Sequence, residues 1–445
     1  MPKIKTEATN EWLERLPGSI GIGNIRYATS GKSDDSSIIQ GTQPFTCTAD
    51  KVKLAISFNG NIIGADKLKE KMYNRSDDFV YNCDSDIVCH KLLSGLKQGK
   101  DLAGAVRGVM EELDGAFSVI GILGDGTFFA FKDSHGIKPL CAGHSSDRQT
   151  LAFSSETVSL DMNSLEHDFE LCPGELVIAT NGGFIRQQII ENPKQAFCVF
   201  EYAYFARPDS RFNSKYVYEI REAFGRNIVY ENPDMVKECD IIMSVPETGD
   251  DPAMGVHEAS GLRWERASRR HRYVTERAFI SLENERFSTI DKKINILGSK
   301  FAGKNVMICE DSIVRGDTTK VIIGKLRKSG AKKVFVFATF PKVIGPCFYG
   351  VDMSTYGELI GARNNSEEIA KIIGADGVCY LSIDKLVEAT EQTCEQLCLA
   401  CITGKYPTPL AQKTADEAKE KFFKGYKESK QVYETENIDY SKKTK

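Results

Sequence analysis

The chain has 445 residues, 41% hydrophobic and 27% charged, with a formal net charge of −4, which are values of a globular protein long enough for two domains with separate cores. That charge gives no general attraction to nucleic acid or to an anionic membrane surface. No run approaches the roughly 18 apolar residues that cross a bilayer, and the opening MPKIKTEATNEWLERL lacks a secretory apolar stretch. The expectation is a cytoplasmic protein with neither nucleic acid nor membrane as partner. In such a compartment the 13 cysteines are not a disulfide framework: those that cluster are candidate metal or cluster ligands, and the others are core or surface thiols.

Residues 1 to about 190 read as β-rich. IGIGNIRYAT, KLAISFNGNII, AFSVIGILGDGTFFAFKD, LAFSSET and ELVIATNGG are strand-like runs between turn signals. SDIVCHKLLSGL and LAGAVRGVMEEL place apolar residues at helical spacing. Together they predict a layered α+β domain. Within it Asn59-Gly60 has two readings, a hairpin turn or an amide beside a Gly N–H as paired donors for an oxyanion.

From about 195 the aromatic run AFCVFEYAYFARPDSRF is followed by alternating segments. The helix YVYEIREAFGRNIVYE, the strand DIIMSVPE and a helix near PAMGVHEASG come first. A charged stretch from Arg263 to Lys304 with the strand AFISL intervenes, then the strand NVMIC, the helix KVIIGKLRKSG, the strand KVFVFAT and the helix EEIAKIIG. Alternation of this kind predicts a parallel sheet covered on both faces, with ligand at the carboxyl ends of its strands.

The most informative stretch is Val306 to Leu326, a strand, a tight polar loop and a helix. Such a loop aims unpaired N–H groups and the positive helix end at one point, which suits a phosphate. Gly316 allows close approach, Ser312, Thr318 and Thr319 add hydroxyls, and Glu310 and Asp311 offer acceptors for two neighbouring ribose hydroxyls. The string is not GxxxxGK[ST], so a ribose 5-phosphate fits better than a triphosphate. Farther on, Cys398 and Cys401 form a CxxC, a spacing shared by zinc, redox and cluster sites. The charged tail after Pro409 reads as a peripheral helix with a frayed end.

EDSIVRGDTT resembles the phosphoribosylpyrophosphate (PRPP) loop of type I phosphoribosyltransferases, in the form of the glutamine PRPP amidotransferase family, with Glu310 and Asp317 where that family usually has Asp and Thr. In the first half GIGNIRYATSG, QPF, SFNGNI, DSD, DGAFS, DSHGIKPL, FSSET and PGELV follow the family's order. The resemblance implies an N-terminal-nucleophile-like glutaminase half over 1–197, a type I phosphoribosyltransferase domain over 198–410 and a charged helical tail over 411–445. It implies PRPP contacts from Glu310, Asp311, Ser312, Val314, Arg315, Gly316, Asp317 and Thr318, with Arg277 and Lys293 from a closing loop. Magnesium falls to Thr248 of SVPETGD with Glu310 and Asp311. Arg26 and Asp84 resemble the glutamine-binding pair, and Asn59 and Gly60 the oxyanion hole. A subset of the family carries a [4Fe–4S] cluster, and Cys198, Cys347, Cys398 and Cys401 match its four ligands; structural zinc is the alternative.

The reaction so implied transfers nitrogen to PRPP, giving 5-phosphoribosylamine and pyrophosphate, the first step of purine synthesis. Purine nucleotides are implied as feedback inhibitors, and a homodimer or homotetramer as the assembly. The family hydrolyses glutamine with an N-terminal cysteine, whereas Met1 to Gly18 contains none. The expectation is therefore a truncated glutaminase half and ammonia as nitrogen source for the chain as written. Two competing classes are a PRPP-binding regulatory or scaffold protein and a phosphoribosyltransferase acting on a free base.

Overall fold

The computed structural model describes residues 18–25, 42–49, 51–65, 67–68, 83–181, 183–271, 292, 294–353, 355–426 and 428. Arg26, Arg277, Lys293 and the AFISL segment lie outside them.

The first half is built on strands β1 (Phe45–Ala49), β2 (Val52–Ile62), β3 (Gly115–Leu123), β4 (Phe128–Lys132), β5 (Cys141–His144), β6 (Leu151–Ser154), β7 (Glu166–Glu170), β8 (Glu175–Thr180) and β9 (Gly183–Gln188). Six form an antiparallel sheet in the order β1-β2-β3-β4-β8-β9, and three form a second in the order β6-β5-β7. Alternation along the strands divides the side chains between two faces. Phe58, Phe117, Val119, Phe129 and Phe131 pack on Ile87, Val88, Leu92, Val106 and Val109 of helices Asp84–Lys97 and Leu102–Glu112. Ala130 and Val177 face the small sheet through Leu140, Ala142 and Leu171. The result is helices, sheet and sheet in layers, the α+β arrangement expected from the sequence.

Two expectations for this half are corrected. Ile20 to Ile25 carries an alternating apolar pattern yet joins no ladder. It is held by side chains instead: Asn24 Nδ2 donates to Gln43 Oε1 (3.0 Å) and to the Phe58 carbonyl (3.3 Å). Cys47 and Cys89, read as thiols, are joined in a disulfide that ties β1 to helix Asp84–Lys97.

The second half adds β10 (Phe197–Cys198), β11 (Arg211–Phe212), β12 (Lys215–Tyr216), β13 (Ile241–Ser244), β14 (Arg263–Trp264), β15 (Ser268–Arg270), β16 (Ile294–Ile296), β17 (Asn305–Glu310), β18 (Lys333–Ala338), β19 (Gly377–Tyr380) and β20 (Leu397–Cys398). Its main sheet runs β14-β13-β17-β18-β19, parallel throughout. Ile242, Met307, Cys309, Phe335 and Phe337 join the core that holds helices Val217–Glu231 and Asp250–Ser260. On the other face Ile241, Met243, Val306, Ile308, Val334 and Val336 meet Ile322, Ile323, Leu326 and Ile369 from helices Asp317–Lys328 and Ser366–Ile373. Strands buried on both faces read as unbroken apolar runs, as NVMIC and KVFVFA do.

The chain leaves β13 for β14 on one side and returns to β17 on the other. That reversal opens a crevice between the loops after β13 and β17, the usual ligand position in open α/β sheets.

The two halves share a core. Ile63, Ala116 and Ile137 belong to the same buried cluster as Phe200, Phe340 and Phe348. Helix Pro409–Phe423 was expected to be peripheral, but Ala411 and Ala415 sit in that shared core. Leu410 N–H donates to Asp114 Oδ2 of the first half (3.0 Å), and Tyr356 stacks on Phe422 with ring centres 5.6 Å apart. Among the described residues no helix is long and apolar enough to cross a membrane.

Candidate functional site

Strand β17 ends on Glu310 and is followed directly by Asp311, and the two residues are only 6% and 8% exposed. Two buried carboxyls side by side need partners, and hydroxyls from three directions provide them. Thr319 Oγ1 donates to Glu310 Oε2 (2.7 Å), Ser312 Oγ donates to Asp311 Oδ1 (2.7 Å), and Thr248 Oγ1 donates to Asp311 Oδ2. Burial, reinforced by the neighbouring Asp311, pushes the Glu310 carboxyl up to about 8. Burial also raises Asp311, against the pull of its hydroxyl bonds and of Arg221.

Thr248 reaches this point because the turn after β13 is pressed against β17. Val245 N–H donates to the Cys309 carbonyl (3.0 Å), and a Cβ at Gly249 would lie 2.8 Å from that same oxygen. Gly316, at φ 83°, makes the left-handed step that opens helix Asp317–Lys328, where a side chain on an L-residue would be strained. Asp317 stands in the first turn of that helix, where a carboxylate complements the dipole. Val314 is tied back by its carbonyl, which accepts the Ile360 N–H (3.0 Å). Arg315 pairs with Glu358 (3.1 Å).

Sequence reading overlooked Arg221. It is 2% exposed, donates from Nε to the Tyr202 carbonyl (2.7 Å) and from Nη2 to the Ala206 carbonyl (2.8 Å), and lies 3.5 Å from Asp251. A signal was present: Arg221 falls on the same helical stripe as Val217, Ile220, Phe224 and Ile228, an apolar face on which a lone Arg must find buried partners.

In the first half Asn59 and Gly60 lie within β2, opposite Ser118 and Phe117. The hairpin reading is thereby excluded. Gly60 is required by close approach, since a Cβ there would sit 1.8 Å from the Ala116 carbonyl oxygen. Asp84, in the first turn of its helix, accepts from Ile62 N–H (2.8 Å), which brings it to the same stretch of strand. Asn61 Nδ2 donates to the Phe348 carbonyl (3.0 Å), linking β2 to the loop that carries Cys347.

The four thiols singled out by motif come together although three separate segments carry them. Cys198 and Cys398 are partners in the parallel β10–β20 pair. The Cys401 carbonyl accepts N–H groups of Ile344 (2.8 Å) and Gly345 (3.0 Å), just before Cys347. All four are buried in the shared core. Burial pushes the Cys198 thiol up to about 12, and Cys347, Cys398 and Cys401 upward as well; each of Cys198, Cys398 and Cys401 is raised further by charge on others of the four. Among the described residues no group of three or more His, Cys, Asp or Glu side chains is closed to metal-holding geometry.

Residues 33–162 match the family model described as a glutamine amidotransferase domain. The chain is 35% identical over 400 residues to the amidophosphoribosyltransferase of Methanothermobacter thermautotrophicus, covering 90% of this chain and 82% of the relative. It is 34% identical over 416 residues to that of Methanocaldococcus jannaschii, covering 90% and 86%. Among solved structures, the Bacillus subtilis glutamine PRPP amidotransferase complexed with ADP and GMP superposes with a TM-score of 0.77 at 30% identity, over 87% of this chain and 83% of the other.

Fold and site together define a glutaminase-type domain joined to a phosphoribosyltransferase sheet. The chain belongs to the amidophosphoribosyltransferase family, whose members are pentosyltransferases.

Proposed function

We propose that this chain transfers nitrogen to C1 of PRPP, forming 5-phosphoribosylamine and pyrophosphate as the first step of purine synthesis. The observation that carries the reading is the buried Glu310–Asp311 pair facing Thr248 across the crevice beside the Gly316 turn. The two carboxyls accept from the ribose hydroxyls. The N–H groups opening helix Asp317–Lys328, with the hydroxyls of Ser312 and Thr318, receive the 5-phosphate. Ammonia forms its C–N bond at C1 as the C–O bond to pyrophosphate breaks. The electron pair leaves with pyrophosphate, and the surplus proton passes to water. Holding the ribose fixed while C1 gains positive charge is the part played by the loop.

Magnesium fits the oxygen set of Thr248, Glu310 and Asp311, because a cation would offset the burial that now disfavours both carboxylates. When bound it supplies charge for the departing pyrophosphate. Pyrophosphate release that needs PRPP, magnesium and ammonium together tests the reading. Tight PRPP binding by calorimetry with no release under any nitrogen source would replace it with the regulatory or scaffold reading.

Four buried thiols match a [4Fe–4S] cube in number, though their side chains would have to draw together to hold it. Cys198, Cys347, Cys398 and Cys401 would hold it. Protein purified without oxygen should be brown and contain iron and acid-labile sulfide, and changing any one of the four to Ser should lose both. Stoichiometric zinc without sulfide would transfer the site to structural zinc. The cytoplasm as compartment, a homodimer or homotetramer, and feedback by purine nucleotides complete the reading; ADP and GMP in the Bacillus subtilis structure support the last of these.

A further inference from the structure

Arg221 is anchored on one side before it faces the crevice on the other. Its Nε and Nη2 donate to the carbonyls of Tyr202 (2.7 Å) and Ala206 (2.8 Å), within and just after the short helix Glu201–Phe205. That anchor is itself fixed, because Tyr202 is fully buried and its hydroxyl accepts from Gln392 Nε2 (2.7 Å). Two bonds to two fixed carbonyls orient the guanidinium plane, and the remaining Nη1 faces Asp251 Oδ2 at 3.5 Å.

Asp251 stands in the first turn of helix Asp250–Ser260, three residues after Thr248. Helix Val217–Glu231, which carries Arg221, touches that helix backbone to backbone. A Cβ on Gly255 would lie 1.9 Å from the Glu222 carbonyl oxygen, and one on Gly225 would lie 1.9 Å from that of Pro252. Glu222 follows Arg221 and Pro252 follows Asp251, so the close contact fixes the separation of the two charged groups. From the other side the turn is held by Ser244, whose Oγ donates to Asp250 Oδ1 (2.5 Å), and by the bond from Val245 N–H to the Cys309 carbonyl (3.0 Å). Thr248 lies between these supports and donates to Asp311 Oδ2.

Stability does not call for an arginine here. An apolar side chain of similar volume would suit the stripe of Val217, Ile220, Phe224 and Ile228, and a guanidinium beside a carboxylate gains little once both are desolvated. What an apolar side chain cannot do is bond in three directions from one rigid plane. Neither can lysine, a point charge on a flexible stem.

We propose that Arg221 is a positioning residue for PRPP binding: through Asp251 it holds the turn that carries Thr248 in place against Asp311. This rests on the PRPP reading of the crevice given above. Arg221 touches no reacting atom, so its loss falls on the affinity for PRPP with magnesium, and neither on ammonia nor on turnover at saturation.

The test uses the full chain, with PRPP affinity from titration calorimetry in the presence of magnesium and steady-state kinetics from pyrophosphate release with ammonium. Arg221→Lys keeps the charge and loses the plane. It should raise the PRPP Kd and KM roughly tenfold, the scale of one lost charge-assisted bond, with kcat and the ammonium KM within about twofold of wild type. Asp251→Ala should raise both PRPP constants several-fold. Because the two residues form one link, the double variant should bind PRPP no more weakly than Arg221→Lys alone. The Asp251 side chain is 24% exposed, so its variant decides the matter should Arg221→Lys not fold. A role in stability alone would lower the unfolding temperature and leave the PRPP constants in place; that result, a fall in kcat at unchanged affinity, or additive losses in the double variant would overturn the proposal. A wild type that neither binds PRPP nor releases pyrophosphate would overturn the PRPP reading and the inference with it.

Discussion

Ammonium should support phosphoribosylamine formation from PRPP at the crevice around Glu310, Asp311 and Thr248, with no thiol required. Glutamine hydrolysis in this family uses a thiolate whose proton goes to an α-amine. Cys47, bonded to Cys89, and Cys83, half-buried beside Ser85 Oγ (3.1 Å), are internal and have no α-amine to serve them. The thiol-directed glutamine analogue diazo-oxonorleucine should therefore leave the ammonia reaction untouched, even where loss of a nucleophile costs glutamine turnover roughly a millionfold. Loss of the ammonia reaction on treatment, with pyrophosphate release as the readout, would place a reactive thiol at the phosphoribosyl site.

Asp311→Asn should weaken PRPP binding by about 1.5–3 kcal/mol, the scale of a charge-assisted hydrogen bond, or roughly 10- to 150-fold, with thermal stability retained. The Asn amide keeps the shape; its one oxygen accepts from one of Thr248 and Ser312, and the other hydroxyl turns to accept from Nδ2. The neighbouring carboxyl adds a pH signature. Glu310 is raised by burial first and by Asp311 second, to about 8. A raised folded value means that the stability it contributes is full below the ordinary glutamate range and is lost as pH rises through about 8. Over the same window the carboxylate that accepts from ribose becomes available. Affinity measured without magnesium should thus climb toward pH 8 in wild type and do so at lower pH in Asp311→Asn, where only burial remains. Unchanged affinity and rate in titration calorimetry and pyrophosphate assays would remove Asp311 from the site.

The parallel sheet was legible because strands buried on both sides, such as Val306–Cys309, leave apolar runs that only a helix-covered sheet accommodates. The acidic pair and Gly316 were legible for a related reason, since few side chains suit the end of such a strand. The order of the strands was not, because nothing local distinguishes β14 from β18 as a neighbour of β13. Local pattern misled at Ile20–Ile25, where Asn24 and Gln43 replace a ladder. Asn59-Gly60 looked like a turn because the clash that demands Gly60 comes from Ala116, far along the chain. The CxxC could be read directly, but the register that sets Cys198 opposite Cys398 is a long-range fact. The same holds for the Cys47–Cys89 bond and the Arg221–Asp251 pair, whose members are 42 and 30 residues apart.

Helix Pro409–Phe423 bears on how the protein is made. Domains generally fold as units during synthesis, N-terminal first. Here Ala411 and Ala415 fill the core shared by both halves, and Leu410 is bound to Asp114 beneath the first sheet. Both halves consequently remain unsealed until helix Pro409–Phe423 has been synthesised. A ribosome stalled before Pro409 leaves a nascent chain with an open apolar seam along Ile63, Ala116 and Phe348, a surface for chaperones to hold until that helix emerges.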